Sequence, residues 1–334
     1  MRRRSLRSGS ALLAILLAGV SLLLAAPAAS AEPGSTANDV ATASSTTAVR
    51  CAFRTYNLPT DWYLPSPAAP PVGLLYAQHG FAESRADFSE FATAAAAAGF
   101  VVFVPTLPTA DLFGCTVQNL GNNTRFLSNV ASLFATAGDP LGALSTSYAA
   151  AVAKIGRPAP PLPTALTIIG HSAGGEAALY IAQQLTAPNH GTADLRGVVL
   201  ADPVRSVIGD STVSSLQALA GASMPIQVLA APPYSCNANQ SGTRAVLREL
   251  AGRGFVGAQL TTGSHADILG GSVNKVERLT CGTPRKINVE TTRTLAIGWL
   301  TAAATRAGPD QDLTPGGASY DALVANGVIS TLIS

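Results

Sequence analysis

Short apolar runs alternate with longer amphipathic stretches along most of the chain. Runs of this length bounded by turn residues are typical of strands buried on both faces of a sheet. The intervening stretches repeat their apolar residues at helical spacing. The alternation predicts an α/β fold, a mostly parallel central sheet flanked by helices on both faces. The predicted strands are 72–78, 100–104, 165–169, 197–201, 226–231 and 256–260, and the main predicted helices are 87–98, 174–185, 244–253 and 290–304.

The remaining segments set the predicted domain limits. Residues 32–48 are small and polar, which predicts a disordered lead-in. A single catalytic domain is expected over 49–306, with an insertion at 105–163 lying over the site. Residues 307–334 form a C-terminal tail, for which packing and fraying are both open.

The N-terminus has the organisation of a secretory signal peptide. Four arginines within the first seven residues precede an apolar run at 11–26 and the sequence ASA at 29–31. This order predicts export and cleavage after about Ala31, by either the general or the twin-arginine route. Because only three of the 21 basic residues are lysine and alanine is abundant, a bacterial source is favoured. We therefore expect a secreted, extracellular protein.

Removal of the signal peptide changes the charge balance. The remaining chain has 17 basic and 19 acidic residues, a formal net charge of −2 where the precursor has +2. A chain of this charge does not favour nucleic acid as a partner. After the signal peptide, no segment of the sequence predicts a membrane span.

Four cysteines remain after cleavage, at positions 51, 115, 236 and 281. An even number in an exported chain favours disulfides, and three pairings are possible. We favour Cys51 with Cys115 and Cys236 with Cys281, since each pair would join neighbouring loops. The sequence lacks C-x-x-C, and its histidines are not at ligand spacing from the cysteines, so no metal site or cofactor is predicted.

The sequence GHSAGG at 170–175 contains the pattern G-x-S-x-G. A predicted strand precedes it and a predicted helix follows it, the context that a nucleophile elbow requires. Ser172 is therefore the candidate nucleophile. A glycine-rich structural turn is the alternative interpretation.

A nucleophilic serine requires a histidine base. His265 lies in GSHAD just after the last predicted strand, the place where the order nucleophile, acid, base would put it. The other three histidines fit less well. His171 lies beside the serine inside the turn, His79 ends a strand, and His190 lies in a polar loop.

The acid is predicted partly by elimination. No Asp or Glu occurs in 211–248, so the loop after strand 226–231 has none to offer. Asp202 directly follows strand 197–201 and would project from the same edge of the sheet as the serine. Asp210 lies farther from a strand end, and Asp267 is too close to the base in sequence to orient it easily.

Two backbone N–H groups are expected to hold the oxyanion of a tetrahedral intermediate. One is that of Ala173, the residue after the nucleophile. The other is that of Phe81, in the loop His79-Gly80-Phe81 that follows a predicted strand.

Four blocks of sequence resemble a known family. They are LLYAQHGFAESRADFSEFATAAAAAGFVVFVP, TIIGHSAGGEAA, VVLADPV and GSHADIL, in that order along the chain. They are similar to α/β-hydrolases, specifically to chlorophyllases and chlorophyllase-like bacterial esterases, and more distantly to secreted cutinase-type polyester hydrolases. The resemblance implies an α/β-hydrolase fold with Ser172 as nucleophile, Asp202 as acid and His265 as base. The chain departs from it at Ala173, where chlorophyllases have arginine.

The sequence as a whole predicts a secreted serine carboxylic-ester hydrolase that acts through an acyl-enzyme without a cofactor. The expected substrate is a small molecule, lipid or polyester with an apolar part, and the expected protein is a monomer. One alternative is an acyltransferase of cell-envelope lipids or sugars that uses the same triad. Another is a non-catalytic binding protein of hydrolase fold.

Overall fold

The computed structural model describes residues 39–187 and 193–334. The predicted signal peptide at 1–31, the beginning of the predicted lead-in and His190 lie outside the described residues.

One nine-stranded sheet runs through the described part of the chain. Its strands are β1 (Ala41–Cys51), β2 (Arg54–Leu64), β3 (Gly73–Gln78), β4 (Phe100–Pro105), β5 (Ala165–His171), β6 (Asp194–Ala201), β7 (Ile226–Ala230), β8 (Phe255–Leu260) and β9 (Ile329–Ile333). They are ordered β1-β2-β4-β3-β5-β6-β7-β8-β9. The six strands from β4 to β8 in this order are parallel, whereas β1, β2 and β9 pair antiparallel at the two edges.

Helices cover both faces of the sheet. They are α1 (Ser89–Ala97), α2 (Thr124–Ala135), α3 (Ala143–Val152), α4 (Ala173–Thr186), α5 (Thr212–Leu219), α6 (Ser241–Glu249), α7 (Lys275–Cys281), α8 (Lys286–Thr305) and α9 (Ala318–Ala325). Apolar residues of α2 to α6 bury one face, and those of α1, α8 and α9 bury the other. The predicted α/β class, a mostly parallel sheet flanked by helices, is confirmed.

Successive side chains of the central strands enter the two cores in turn. In β3, Leu74 and Tyr76 join the core beneath α2 to α6, whereas Leu75 and Ala77 join the core beneath α1 and α8. Because both faces are covered, every residue of this strand is buried. This explains why the central strands are continuous apolar runs in the sequence.

The prediction of a disordered lead-in is wrong for residues 41–48, which form most of β1. Every second residue in part of this strand faces inward, and Ala43, Thr47 and Val49 are buried. The strand pairs with β2 along its whole length. The sequence does not show this alternation clearly, because the buried positions are occupied by small residues such as Ala43 and Thr47. These residues differ little in hydrophobicity from the exposed residues beside them.

The C-terminal tail at 307–334 is packed against the domain. It forms α9 and β9, and β9 extends the sheet by pairing antiparallel with β8. Tyr320 of α9 is fully buried in the core beneath α8. The tail is therefore part of the domain rather than a frayed end.

The insertion at 105–163 was predicted to lie over the site, and this is wrong for its helices. Both α2 and α3 pack against β1, and α2 also packs against α4, so they cover one face of the sheet. The loop that precedes α2 does reach the carboxyl edge of the sheet, where the Leu107 amide donates to His79 Nε2 at 2.9 Å. The apolar residues of both amphipathic helices join the core on this face, which explains their position.

The favoured cysteine pairing is confirmed. Cys51 is bonded to Cys115, and Cys236 is bonded to Cys281. The first bond ties the end of β1 to the loop after β4, and the second ties the loop after β7 to the end of α7. Among the described residues, no helix has the length and apolar character needed to cross a membrane.

The bond between Cys51 and Cys115 closes a loop of 64 residues and is expected to stabilise the fold by restricting the unfolded chain. Replacement of both cysteines by alanine should lower the free energy of unfolding by about 4 kcal/mol. Equilibrium urea unfolding of the parent and the double variant measures this difference. A loss below about 1 kcal/mol would contradict the expected contribution.

Candidate active site

Ser172 occupies a strained turn between β5 and α4. The strand ends at His171, the helix begins at Ala173, and the serine between them has φ 55° and ψ −125°. A residue other than glycine in this region costs on the order of 1–3 kcal/mol, and such strain is concentrated at functional sites. The turn leaves the serine side chain at the carboxyl edge of the sheet, where its hydroxyl has no hydrogen-bond partner among the described residues.

The glycines around this serine are required by close backbone approaches. A Cβ at Gly170 would lie 2.3 Å from the carbonyl oxygen of Gly174, and one at Gly174 would lie 2.4 Å from the carbonyl oxygen of His79. A Cβ at Gly80 would lie 2.8 Å from the Cβ of Ser172. The G-x-S-x-G pattern is therefore a steric requirement of the turn, and the loop after β3 packs directly against the serine.

Asp202 and His265 form the hydrogen bond that the sequence predicted. Asp202 Oδ2 accepts from His265 Nδ1 at 2.6 Å, and both residues are 4% exposed. Because this bond places the proton on Nδ1, the Nε2 atom of the same ring is free to accept a proton. Asp202 follows β6 and neighbours the serine, since the Ser172 amide donates to the carbonyl oxygen of Ala201 at 3.1 Å.

The carboxylate of Asp202 is held by further donors. Its Oδ1 atom accepts from the Ala231 amide at 3.0 Å and from Asn237 Nδ2 at 3.2 Å. These contacts fix the carboxylate without competing for the oxygen that His265 uses. Asn237, which lies in the loop after β7, was not predicted as part of the site.

The two weaker candidates for the acid have other partners. Asp210 forms an ion pair with Arg205. Asp267 accepts from the amide of Ser264 at 2.7 Å and from its hydroxyl at 2.9 Å, which shapes the loop that carries His265. Neither aspartate bonds to the His265 ring.

The serine and the histidine base lie close together but do not share a hydrogen bond in this structure. His171, which precedes the serine, places its Nε2 2.8 Å from the carbonyl oxygen of His265, and the two imidazole rings are 4.6 Å apart. Hydrogen bonds of catalytic residues are often long or absent before substrate binds. The structure therefore brings Ser172, Asp202 and His265 to one edge of the sheet, with a hydrogen bond between Asp202 and His265 but none between His265 and Ser172.

The two predicted oxyanion donors are available. Among the described residues, the amides of Phe81 and Ala173 have no hydrogen-bond acceptor. Ala173 opens α4, so its N–H lies at the positive end of the helix. Phe81 follows Gly80, whose backbone packs against the serine.

Sequence reasoning missed a buried ion pair next to these groups. His171 Nδ1 lies 2.7 Å from Glu83 Oε1, and both side chains are almost completely buried. Burial alone would lower the pKa of His171, but the charge of Glu83 and its hydrogen bond outweigh this and raise the pKa to about 9. Burial would raise the pKa of Glu83, but His171 outweighs it and lowers that pKa to about 2. No sequence signal links these residues, since their contact depends on the fold.

A third buried group, Glu277 of α7, completes this cluster. Burial raises the pKa of Glu277 to about 8, against the opposing effect of His171 and with the added effect of the Glu83 carboxylate. One of its oxygens, Oε1, is buried without a hydrogen-bond partner among the described residues. The carboxyl group is therefore protonated at neutral pH.

One set of described side chains could hold a metal ion. His171, His265 and Glu277 each offer one ligand atom, and these atoms lie within 4.8 Å of one another. Each ring already uses one nitrogen, His265 toward Asp202 and His171 toward the His265 carbonyl oxygen. A metal ion bound through the other nitrogen of His265 would occupy the atom that the serine needs.

A cleft of about 340 Å³ lies beside the loop that carries His265. Its nine lining residues include Tyr234, Ser264 and Cys281, but neither Ser172 nor Phe81. The cleft therefore does not include the candidate nucleophile or the loop of Phe81.

A scan against protein-family models and a search of curated proteins both give no match.

Replacement of Glu277 by glutamine should change how stability depends on pH. The folded pKa of about 8 lies above the unfolded value of about 4.3, so folding retains a proton that the unfolded chain releases. The free energy of unfolding of the parent therefore falls as pH rises through this interval. Glu277→Gln lacks this contribution. The free energy of unfolding of the variant minus that of the parent should therefore increase from pH 5 to pH 8, with a slope of about 1.4 kcal/mol per pH unit for one proton.

Urea unfolding at several pH values measures this difference. His171 contributes a slope of the same sign to both proteins, because Glu83, whose charge and hydrogen bond raise its pKa most, is present in each. Glu290→Gln, at an exposed position on α8, is the matched control and should show a constant difference. A constant difference for Glu277→Gln as well would contradict the protonated state of this residue.

Proposed function

We propose that the protein is a secreted serine carboxylic-ester hydrolase of the α/β-hydrolase type. The observation that carries the proposal is the strained Ser172 at a strand-to-helix turn beside a buried Asp202–His265 hydrogen bond. A serine, a histidine and an aspartate in this relation form the arrangement used for acyl transfer on several unrelated folds.

The proposed reaction begins with attack by Ser172 on the ester carbonyl carbon. His265 Nε2 takes the hydroxyl proton as the bond between Oγ and carbon forms, and the carbonyl electron pair moves to oxygen. The amides of Phe81 and Ala173 then donate to this oxyanion. Catalysis benefits because these dipoles are already oriented where negative charge develops.

The intermediate collapses when the electron pair returns and the bond to the leaving alcohol breaks. His265 gives its proton to the departing oxygen, which leaves an acyl group on Ser172. A water molecule, deprotonated by the same imidazole, then attacks the acyl carbon. The bond between this carbon and Ser172 Oγ breaks, His265 returns the proton to Oγ, and the acid is released. Throughout, Asp202 keeps the imidazole in the required tautomer and stabilises its protonated form.

The order of the site along the chain also supports the proposal. The acid directly follows β6, the strand next to β5, as in the D-P-V block by which the sequence resembles chlorophyllases. The base follows β8, so the order is nucleophile, acid, base. The two disulfides support export, because such bonds persist mainly in oxidising compartments.

Exposed apolar side chains beside the site support a substrate with an apolar part. Phe81, in the oxyanion loop, is half exposed, and Val207 and Ile208 project from the loop after the acid with exposed fractions of 95% and 61%. Leu120 lies next to that loop, because the Asn119 amide donates to Ser206 Oγ at 3.0 Å. Contiguous exposed apolar groups of this kind mark binding surfaces.

Replacement of Ser172 by alanine should abolish hydrolysis of p-nitrophenyl esters, because no other group is placed to attack the carbonyl carbon. Asp202→Asn should lower kcat by roughly 10⁴-fold through the wrong imidazole tautomer. Steady-state kinetics with purified proteins measure both effects, and a fluorophosphonate probe reports whether the serine is reactive.

Ser214→Ala, an exposed serine on α5, is the matched control and should keep the parent kinetics. Hydrolysis by Ser172→Ala at the parent rate, or probe labelling at another residue, would refute the proposed function.

Replacement of Val207 and Ile208 by serine should raise KM for esters with long acyl chains and leave KM for acetate esters nearly unchanged. Each side chain removed from an apolar contact costs about 1–2 kcal/mol, so KM should rise roughly 10-fold or more for long chains. Kinetics over a series of acyl lengths measure this. Leu141→Ser, an equally exposed residue between α2 and α3, is the control, and an identical effect from it would contradict a role of the site rim.

A further inference from the structure

A series of buried polar contacts, two hydrogen bonds and one ion pair, links the loop after β3 to the loop that carries His265. Glu83 Oε2 accepts from the Gly80 amide at 2.8 Å, and its Oε1 contacts His171 Nδ1 at 2.7 Å. The other ring nitrogen, His171 Nε2, lies 2.8 Å from the carbonyl oxygen of His265. Three contacts therefore connect Gly80 to His265. Gly80 precedes Phe81, the proposed oxyanion donor, and His265 is the proposed base.

Both nitrogens of His171 face oxygen atoms that can only accept. Nδ1 faces a carboxylate oxygen, and Nε2 faces a backbone carbonyl oxygen. A neutral imidazole carries one proton, so it would set a lone pair against one of these oxygens. The contacts therefore favour an imidazolium, whose charge lies against the Glu83 carboxylate and whose Nε2–H donates to the His265 carbonyl oxygen. The raised pKa of His171 agrees with this.

We infer that Glu83 and His171 are positioning residues, a buried ion pair that holds the oxyanion loop and the His265 loop at fixed places on either side of Ser172. The inference rests on the proposed ester hydrolysis. Neither residue contacts the reacting atoms in this assignment. Their effect passes through the backbone of Gly80 and of His265.

The surroundings of the pair fit this role. Glu277 of α7 faces the pair, and its raised pKa favours the neutral carboxyl group at neutral pH. Other titratable groups near it are Asp87, His79 and His265, whose ring lies 4.6 Å from that of His171. The ring of Phe88 lies 6.4 Å from that of His171. The pair is therefore an internally neutral unit in an almost water-free environment, where its hydrogen bonds are strong.

A buried ion pair is seldom the most stable solution for a core. Apolar side chains of similar volume often give equal or greater stability, whereas loss of one partner leaves a costly unpaired charge. Apolar side chains at these two positions would provide neither an acceptor for the Gly80 amide nor a donor for the His265 carbonyl oxygen. The test therefore separates stability from position.

The decisive variant replaces the pair by apolar residues, Glu83→Leu with His171→Phe. If the pair positions the two loops, this protein should fold with stability near that of the parent, yet kcat should fall about 10- to 100-fold with KM nearly unchanged. Glu83→Gln should retain most of kcat, because the amide can accept from Gly80 and donate to a neutral His171. Urea unfolding, circular dichroism and ester kinetics provide the measurements.

Thr47→Val with Ser147→Ala is the matched control. These residues form a buried hydrogen bond of 2.8 Å between β1 and α3, far from the site in the fold, so their loss should affect stability and leave kcat unchanged. A folded Glu83→Leu/His171→Phe protein with parent kcat would overturn the inference while leaving the proposed function intact.

Measurements that do not depend on ester hydrolysis can test the inference even if the proposed function is wrong. Nitrogen-15 NMR of the parent should show two ring N–H groups on His171 at pH 7, and Glu83→Gln should show one. Amide hydrogen exchange at Gly80 should be faster in Glu83→Leu/His171→Phe than in the parent. A singly protonated His171 in the parent, or unchanged exchange at Gly80, would overturn the inference even if the parent hydrolysed no ester.

Discussion

The site depends on one strained residue. Ser172 keeps a backbone conformation that residues other than glycine avoid, and it does so because its neighbours allow no other path. Gly170 and Gly174 permit contacts that any side chain would block, and the loop containing Gly80 closes on the serine from the other side. The same crowding that imposes the strain also brings Ser172 close to the loop of Phe81, whose amide is the proposed oxyanion donor.

His265 and Asp202, the proposed base and acid, are fixed by a second set of contacts around the same edge. Tyr234 accepts from the His265 amide at 2.5 Å and donates to the carbonyl oxygen of Cys281 at 2.9 Å. Cys281 is bonded to Cys236, next to Asn237, which donates to the acid. One disulfide thus anchors the surroundings of both residues. The Glu83–His171 pair would connect this assembly to the oxyanion loop, so that three loops hold their places as one unit.

The sequence predicted those parts of the site that follow from strand ends. Ser172 and Asp202 directly follow apolar runs, and the carboxyl ends of neighbouring parallel strands meet at one edge. The contact between Glu83 and His171 could not be predicted from the sequence, because the residues between them include two strands and three helices. In addition, no sequence pattern marks the polar partner of a histidine that lies beside a candidate nucleophile. Strand β1 was missed because its small polar side chains lack the contrast on which periodicity depends.

The structure of a covalent phosphonate adduct would test the central claim most directly, since the adduct mimics the tetrahedral intermediate on the serine. The account predicts phosphorus bonded to Ser172 Oγ, with one oxygen accepting from the amides of Phe81 and Ala173 at about 2.7–3.1 Å. His265 Nε2 should lie within hydrogen-bond reach of the adduct while Nδ1 remains bonded to Asp202. An adduct oxygen that contacts neither amide, or a His265 ring turned away from it, would contradict the account.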